Sequence, residues 1–251
     1  MEVQVSPAVH ARFRSPRLRP DLAYRVLRVL NRWLMRSLWR IRAEGLENWP
    51  EPPFLLVVNH HNAFDGQILL SVSPLLPRIT WFGPRNENFS KGVPNRLAVW
   101  HGGVIPILPN GTDLISAVRA VRELFAAGGV LGIFPEGRAG YRESAVLPFK
   151  AGALSFATRA GVPILPATVV GSNRLWLRAR MMVRFGEPIP TAGVRGEEAV
   201  AALEARVRAG MEALLPTKEP VLPRFRPLER FLTTVLEGTI DRERRRVEQG
   251  L

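Results

Sequence analysis

The sequence predicts an α/β protein with a largely parallel central sheet flanked by helices, preceded by an N-terminal amphipathic helix suited to a membrane surface. Three observations carry that expectation. Between Pro52 and Pro190, short apolar runs alternate with segments of helical spacing, the pattern of strands joined by crossover helices. The run Phe54-Leu55-Leu56-Val57-Val58 has no polar position, which fits a strand covered on both faces of a parallel sheet. Finally, an apolar content of 46% in 251 residues is ample for a sizeable core.

Taken in order, residues 1–20 form a basic, proline-containing arm that lacks the uninterrupted apolar core of a secretory signal. Asp21 is placed to cap a helix expected to run to about Arg42, with Gly45 as its stop. Arg25, Arg28, Arg32, Arg36 and Arg40 recur at three- and four-residue steps and so share one face. Val26, Leu27, Leu30, Trp33, Leu34, Leu38 and Ile41 fill the other arc. A basic amphipathic helix with tryptophans fits an interfacial anchor, with Trp39, near the arginine side, suited to a headgroup region. The competing expectation is a surface helix whose apolar side packs on the core.

Strands are expected at 54–58, 79–82, 104–108, 130–134, 164–170 and 181–185. Between them, Leu114, Ile115, Val118, Val121 and Phe125 show helical spacing before Gly128-Gly129 ends the helix. A second helix is expected to follow Lys150 and end near Gly161. A third covers 197–215, with Val200, Leu203, Val207 and Leu214 inward. The chain thus divides into a membrane-associating arm and helix (1–44), an α/β domain (45–215) and a tail (216–251) helical from about Leu228. No window holds the roughly 18 apolar residues of a spanning helix, so the expected location is peripheral or monotopic, on the cytoplasmic face of a membrane.

Composition narrows the chemistry. The absence of cysteine excludes disulfides, thiolate catalysis and cysteine-ligated zinc. Four histidines are few for a metal site, His60 and His61 are adjacent rather than a helical turn apart, and no HExxH pattern occurs, so no metal is expected. The formal charge of +13 comes almost wholly from arginine and calls for an anionic partner. Nucleic acid is disfavoured: no helix-turn-helix, RNP or zinc pattern appears, and arginines concentrate with tryptophan and leucine on one helix.

Catalytic potential centres on Asn59-His60-His61-Asn62-Ala63-Phe64-Asp65, which places a base and a carboxylate just past the apolar strand, where open α/β sheets hold ligands. Which histidine pairs with Asp65 is open on spacing. Five residues of regular helix span about 140 degrees, so His60 meets Asp65 only across a bent turn, whereas His61 lies four residues before it on the same face. Three further segments follow in order: Phe134-Pro135-Glu136-Gly137-Arg138 beyond a strand, Phe149-Lys150-Ala151-Gly152 at an expected helix start, and Val162-Pro163-Ile164-Leu165-Pro166 opening a strand. Arginine suits a phosphate because its planar fork donates two bonds at once, and Gly137 lets backbone approach closely. Lys150 at a helix start would be unfavourable for the dipole, which points to a nearby anion.

These ordered blocks resemble the glycerolipid acyltransferase superfamily, whose best-known members are the lysophosphatidic acid acyltransferases. His60 and Asp65 match its HxxxxD block, with Asn62 at the usual serine; residues 134–138 match the FPEGR form, and 162–166 the VPxxP strand. Gly186-Glu187-Pro188-Ile189 also fits, and the resemblance covers roughly residues 45–190. It implies transfer of a fatty acyl chain from acyl-coenzyme A or acyl-carrier protein, as substrate rather than cofactor, to a lysophospholipid hydroxyl. It selects His60 as general base and Asp65 as its partner. It places Glu136, Gly137, Arg138, Arg85 and Lys150 at the substrate, with His61 and Asn62 structural or lining the acceptor. One block departs: after Gly103-Val104-Ile105-Pro106-Ile107-Leu108, Pro109 and Asn110 stand where a phosphate-holding arginine is expected. Arg85 and Arg138 are the candidate replacements, and another lysophospholipid, a lipid alcohol without phosphate, or a catalytically silent membrane-binding protein remain as alternatives.

Overall fold

The computed structural model of the protein describes residues 22–62, 64–75, 77–84, 104–107, 114–140, 142–229 and 231–232. Among the described residues the elements begin with helix α1 (Leu22–Leu38), followed by β1 (Arg40–Glu44), β2 (Phe54–Val58), α2 (Asp65–Val72), β3 (Ile79–Pro84) and β4 (Val104–Ile107). Then come α3 (Leu114–Ala126), β5 (Val130–Ile133), α4 (Ser155–Ala160), β6 (Ile164–Val170), β7 (Arg180–Phe185) and α5 (Glu197–Glu212). The strands form one seven-stranded sheet in the order β1-β7-β6-β2-β5-β3-β4, and every neighbouring pair is parallel except β6 with β7. The expected α/β class with a largely parallel sheet is what the chain adopts.

Strand β2 sits near the middle of the sheet, and its uniform apolarity follows from that position. Phe54, Leu56 and Val58 enter the core on one face with Met35, Trp39, Ile68 and Leu69, while Leu55 and Val57 enter the other with Val121, Leu124, Ala157, Val207 and Met211. Helices α1 and α2 therefore cover one face, and α3, α4 and α5 the other. Because β2, β5 and β6 run the same way, with Val57 opposite Ile133 and Pro166, their carboxyl ends open onto one edge.

Four expectations are corrected. The first helix stops at Leu38 rather than Arg42, because residues 40–44 pair in parallel with β7 and alternate outward and inward. Trp39 is fully buried in the core, not at an interface. The competing expectation, that the apolar arc of α1 packs on the core, holds only at its end, where Leu38 meets the core: Leu22, Val26, Val29, Leu30, Trp33 and Leu34 are exposed, and Tyr24, Arg28 and Met35 face inward. Arg28 donates to the carbonyls of Leu70, Ser73 and Pro74, and Arg32 to that of Ser71, so the guanidinium groups satisfy carbonyls at the carboxyl end of α2. Lastly, residues 151–154 are turns and α4 begins at Ser155, so Lys150 does not open a helix. Of the expected tail helix, Glu229, Phe231 and Leu232 are helical, with Leu232 buried; residues 233–251 lie outside the described residues.

Candidate active site

Where β2 ends, Asn59 takes over the strand pairing with its side chain, accepting from Val169 N–H at 2.7 Å and donating to Val169 O at 3.1 Å. This fixes the start of the turn that leads into α2. Asn62 shapes the turn itself: its Oδ1 accepts the Phe64 N–H at 2.9 Å, and its carbonyl accepts the Asp65 N–H at 3.0 Å. Asp65 then opens α2, where a carboxylate is favoured by the helix dipole.

His60 and Asp65 meet across this turn. His60 Nδ1 lies 2.9 Å from Asp65 Oδ2, and the same oxygen accepts the N–H groups of His61 at 2.6 Å and Asn62 at 2.8 Å. The helical spacing that favours His61 does not apply, because the segment between the histidines and Asp65 is not helix; His61 reaches Asp65 by its main chain. Asp65 is fully buried, whereas the His60 side chain is 21% exposed, and Nε2 of His60 has no partner among the described residues. Burial alone would raise the Asp65 pKa, but the hydrogen bond and charge of His60, then the charge of His61 and the Ser172 hydroxyl, outweigh it and hold the carboxyl below its ordinary value.

The loop after β5 brackets His60 from the other side. Glu136 Oε1 accepts the His60 N–H at 3.3 Å, and Gly140 N–H donates to the His60 carbonyl at 2.6 Å. Glu136 is thus buried beside the histidine, with its carboxylate on the His60 main chain. Burial pushes its pKa up from 4.5 to about 7, against the lowering charge of His61 and the N–H of His60. The His60 ring stacks on Phe134 (centroids 4.4 Å apart, 27° between planes), and Phe134 stacks on Trp81 (5.0 Å, 7°). Gly132 makes room for that stack, since a Cβ there would lie 2.8 Å from the Trp81 ring. The imidazole plane is thereby fixed.

His61 and Asn62 do not line an open surface, because both are buried. The His61 ring turns away from Asp65: Nε2 lies 3.0 Å from the Arg142 carbonyl, and Nδ1 3.6 Å from Glu143 Oε2. Gly137 and Arg138 are exposed just past Glu136, and Gly137 has φ +64. A Cβ at Gly137 would collide with Cδ and Cε of Lys150, so the lysine stem crosses this glycine. Arg138 and Lys150 therefore lie on the loop that brackets His60, and Arg138 makes no ion pair with Glu136 among the described residues. Arg85, Pro109 and Asn110 lie outside the described residues. Among those described, no group of three or more His, Cys, Asp and Glu could hold a metal ion. The sequence left Trp81, Glu143 and Ser172 unmarked. Trp81 lies inside β3 and Glu143 well along the loop after β5, so only Ser172, just beyond the end of β6, had a place that could have singled it out.

This chain resembles known proteins over much of its length. It is 32% identical over 182 residues to 1-acyl-sn-glycerol-3-phosphate acyltransferase alpha of Ovis aries, covering 68% of this chain and 61% of that protein. The Homo sapiens protein of that name is 32% identical over 182 residues, and 1-acyl-sn-glycerol-3-phosphate acyltransferase of Saccharomyces cerevisiae 25% over 171, covering 60% of this chain and 52% of the yeast protein. The chain spans about three fifths of the length of the animal relatives. The fold is shared with the crystal structure of the 1-acyl-sn-glycerophosphate acyltransferase PlsC from Thermotoga maritima, at TM-score 0.61 and 20% identity over 82% of this chain and 86% of that one. The Acyltransferase family model matches residues 40–170, from β1 to the last residue of β6, and the chain belongs to that family.

Proposed function

We propose that this protein transfers a fatty acyl chain from an acyl thioester, carried on coenzyme A or acyl-carrier protein, to the hydroxyl of a lysophospholipid at a membrane surface, in phospholipid synthesis or remodelling. Lysophosphatidic acid is the first acceptor to consider, because the relatives are named for 1-acyl-glycerol-3-phosphate. The observation that carries the reading is the 2.9 Å contact between His60 Nδ1 and Asp65 Oδ2, in a histidine whose side chain stays partly exposed. An alcohol near neutral pH is a poor nucleophile. His60 Nε2 takes its proton as the oxygen attacks the thioester carbonyl, Asp65 holds the opposite N–H and balances the imidazolium, and the proton passes to the departing thiolate. General-base help of this kind is worth roughly 10² to 10⁴ in rate. Arg138 and Lys150 supply cationic charge for an acceptor phosphate.

Six large apolar side chains exposed along α1 support docking at a bilayer, and no helix among the described residues is long and apolar enough to cross one. The test is an assay with labelled acyl-coenzyme A or acyl-carrier protein and a panel of lysophosphatidic acid, other lysophospholipids and monoacylglycerol. Product from the phosphate-bearing acceptors is expected, and its loss in His60→Ala with unchanged thermal unfolding. Near-normal turnover by that variant would refute the mechanism; product from monoacylglycerol alone would refute the phosphate-bearing acceptor.

A further inference from the structure

Asp65 is unevenly satisfied. Its Oδ2 takes three donors, while Oδ1, equally buried, takes no hydrogen bond. A buried carboxylate oxygen without a donor is costly, and an ionised carboxylate can only accept. The Ser172 side chain is likewise fully buried with its Oγ unpartnered.

The strand pairing brings the two turns that carry these groups together. Val58 stands opposite Ala167 in the β2–β6 ladder, and Asn59 extends that pairing to Val169, so the turn after β6 lies beside the His60 turn. That turn is held from below by Glu143, whose carboxylate accepts the N–H groups on either side of Ser172, Gly171 at 2.8 Å and Asn173 at 2.7 Å. Gly171 has φ +91, and a Cβ there would collide with the Arg180 carbonyl, so the turn admits little alternative. Glu143 is anchored in turn, since Glu219 accepts its N–H at 3.1 Å and that of Ser144 at 3.0 Å.

We propose that the Ser172 hydroxyl is the fourth donor to Asp65, closing onto Oδ1, and that Ser172 is a positioning residue for the His60–Asp65 pair. The proposal rests on the general-base reading above. Ser172 already lies close enough to help hold the Asp65 carboxyl below its ordinary value. With both oxygens engaged, the carboxylate keeps its plane and charge as the imidazolium forms. Without the hydroxyl, Oδ1 is left bare, the carboxylate becomes more basic, and it binds the proton of the pair more tightly. Three other titratable groups face the pair: His61 from the same turn, Glu136 from the loop after β5, and Glu143 from beneath the turn after β6.

The experiment compares wild type, Ser172→Ala and Ser172→Thr in the full chain, by thermal unfolding, by the pH profile of kcat and by NMR titration of the His60 ring. Ser172→Ala is expected to lower kcat several-fold at unchanged KM and to move both the acid limb and the ring titration upward by up to about one pH unit, the size set by one hydrogen bond to a charged acceptor. Ser172→Thr, which keeps the hydroxyl, is expected to titrate as wild type. Ser172→Cys keeps the volume without a strong donor and stands in, with the same upward shift expected, should the alanine variant fail to fold. A ring titration unmoved by loss of the hydroxyl overturns the proposal, whatever happens to kcat. Because that titration needs no turnover, absence of acyl transfer in the wild type would count against the proposed function and leave the role of Ser172 separately decided.

Discussion

Glu136 provides the sharpest test of the site's electrostatics. Its carboxyl is 4% exposed, and burial raises its pKa from 4.5 to about 7. The folded protein therefore keeps a proton up to about pH 7 that the unfolded chain releases near pH 4.5. Between those values the folded state binds more protons than the unfolded state, so raising the pH through this window removes stability. The interval of about 2.5 pKa units, at 1.36 kcal/mol each, is about 3 kcal/mol. For a chain of this length that corresponds to a fall of about 6 to 12 °C in Tm. Glu136→Gln keeps an acceptor for the His60 N–H and cannot ionise. Thermal unfolding of both proteins from pH 4.5 to 8.5 should give curves that diverge as the pH rises, the wild type losing Tm relative to the variant and levelling off above pH 7. A constant offset between them reports only how the amide is accommodated. Parallel curves would refute the reasoning, since the carboxyl would then titrate alike in both states.

Two other outcomes follow from the same geometry. Asp65→Asn retains an acceptor for the His61 and Asn62 N–H groups and should change stability by no more than about 2 kcal/mol, while transfer falls roughly 10³- to 10⁴-fold; Asp65→Ala orphans both N–H groups and should cost about 3 to 5 kcal/mol as well, read by denaturation beside the assay. If the asparagine variant proved as unstable as the alanine one, Asp65 would be holding the fold by its charge. On α1, Leu30 and Trp33 are 53% and 69% exposed, so Leu30→Glu with Trp33→Glu should lower binding to anionic vesicles at least about tenfold with Tm unchanged; undiminished vesicle binding would dismiss this face as the docking surface.

The fold was legible wherever one face or both of an element had to be apolar. Strands 54–58 and 164–170 have the bounds their runs define, and α3 ends before the Gly128-Gly129 pair. β1 was hidden because Arg40, Ile41, Arg42, Ala43 and Glu44 continue the arginine rhythm of α1 and declare strand only through pairing with β7. The orientation of α1 was hidden for a related reason. Periodicity separates an arginine face from an apolar face but does not say which one turns inward. Here the inward choice is made by the unsatisfied carbonyls at the end of α2, which take Arg28 and Arg32 and leave Leu30 and Trp33 outside.

The candidate site shows a sharper division. The ordered blocks marked His60, Asp65, Glu136 and Arg138, yet helical spacing pointed to His61, and the error lies in assuming that helix extends back to the histidines. The chain is free to bring His60 Nδ1 to Asp65 because Asn59 ends the strand and Asn62 holds a turn until Asp65 begins α2. That arrangement spends His61 on its main-chain N–H and sends its ring to the Arg142 carbonyl and toward Glu143. The groups behind the pair, Glu143 and Ser172, come from the loops after β5 and β6 and form no spacing with the HxxxxD block. They become visible only when parallel pairing of β2 with β5 and β6 sets the three carboxyl ends side by side. What a one-dimensional motif conveys here is the His60–Asp65 pair; what keeps that pair in register is a property of the sheet.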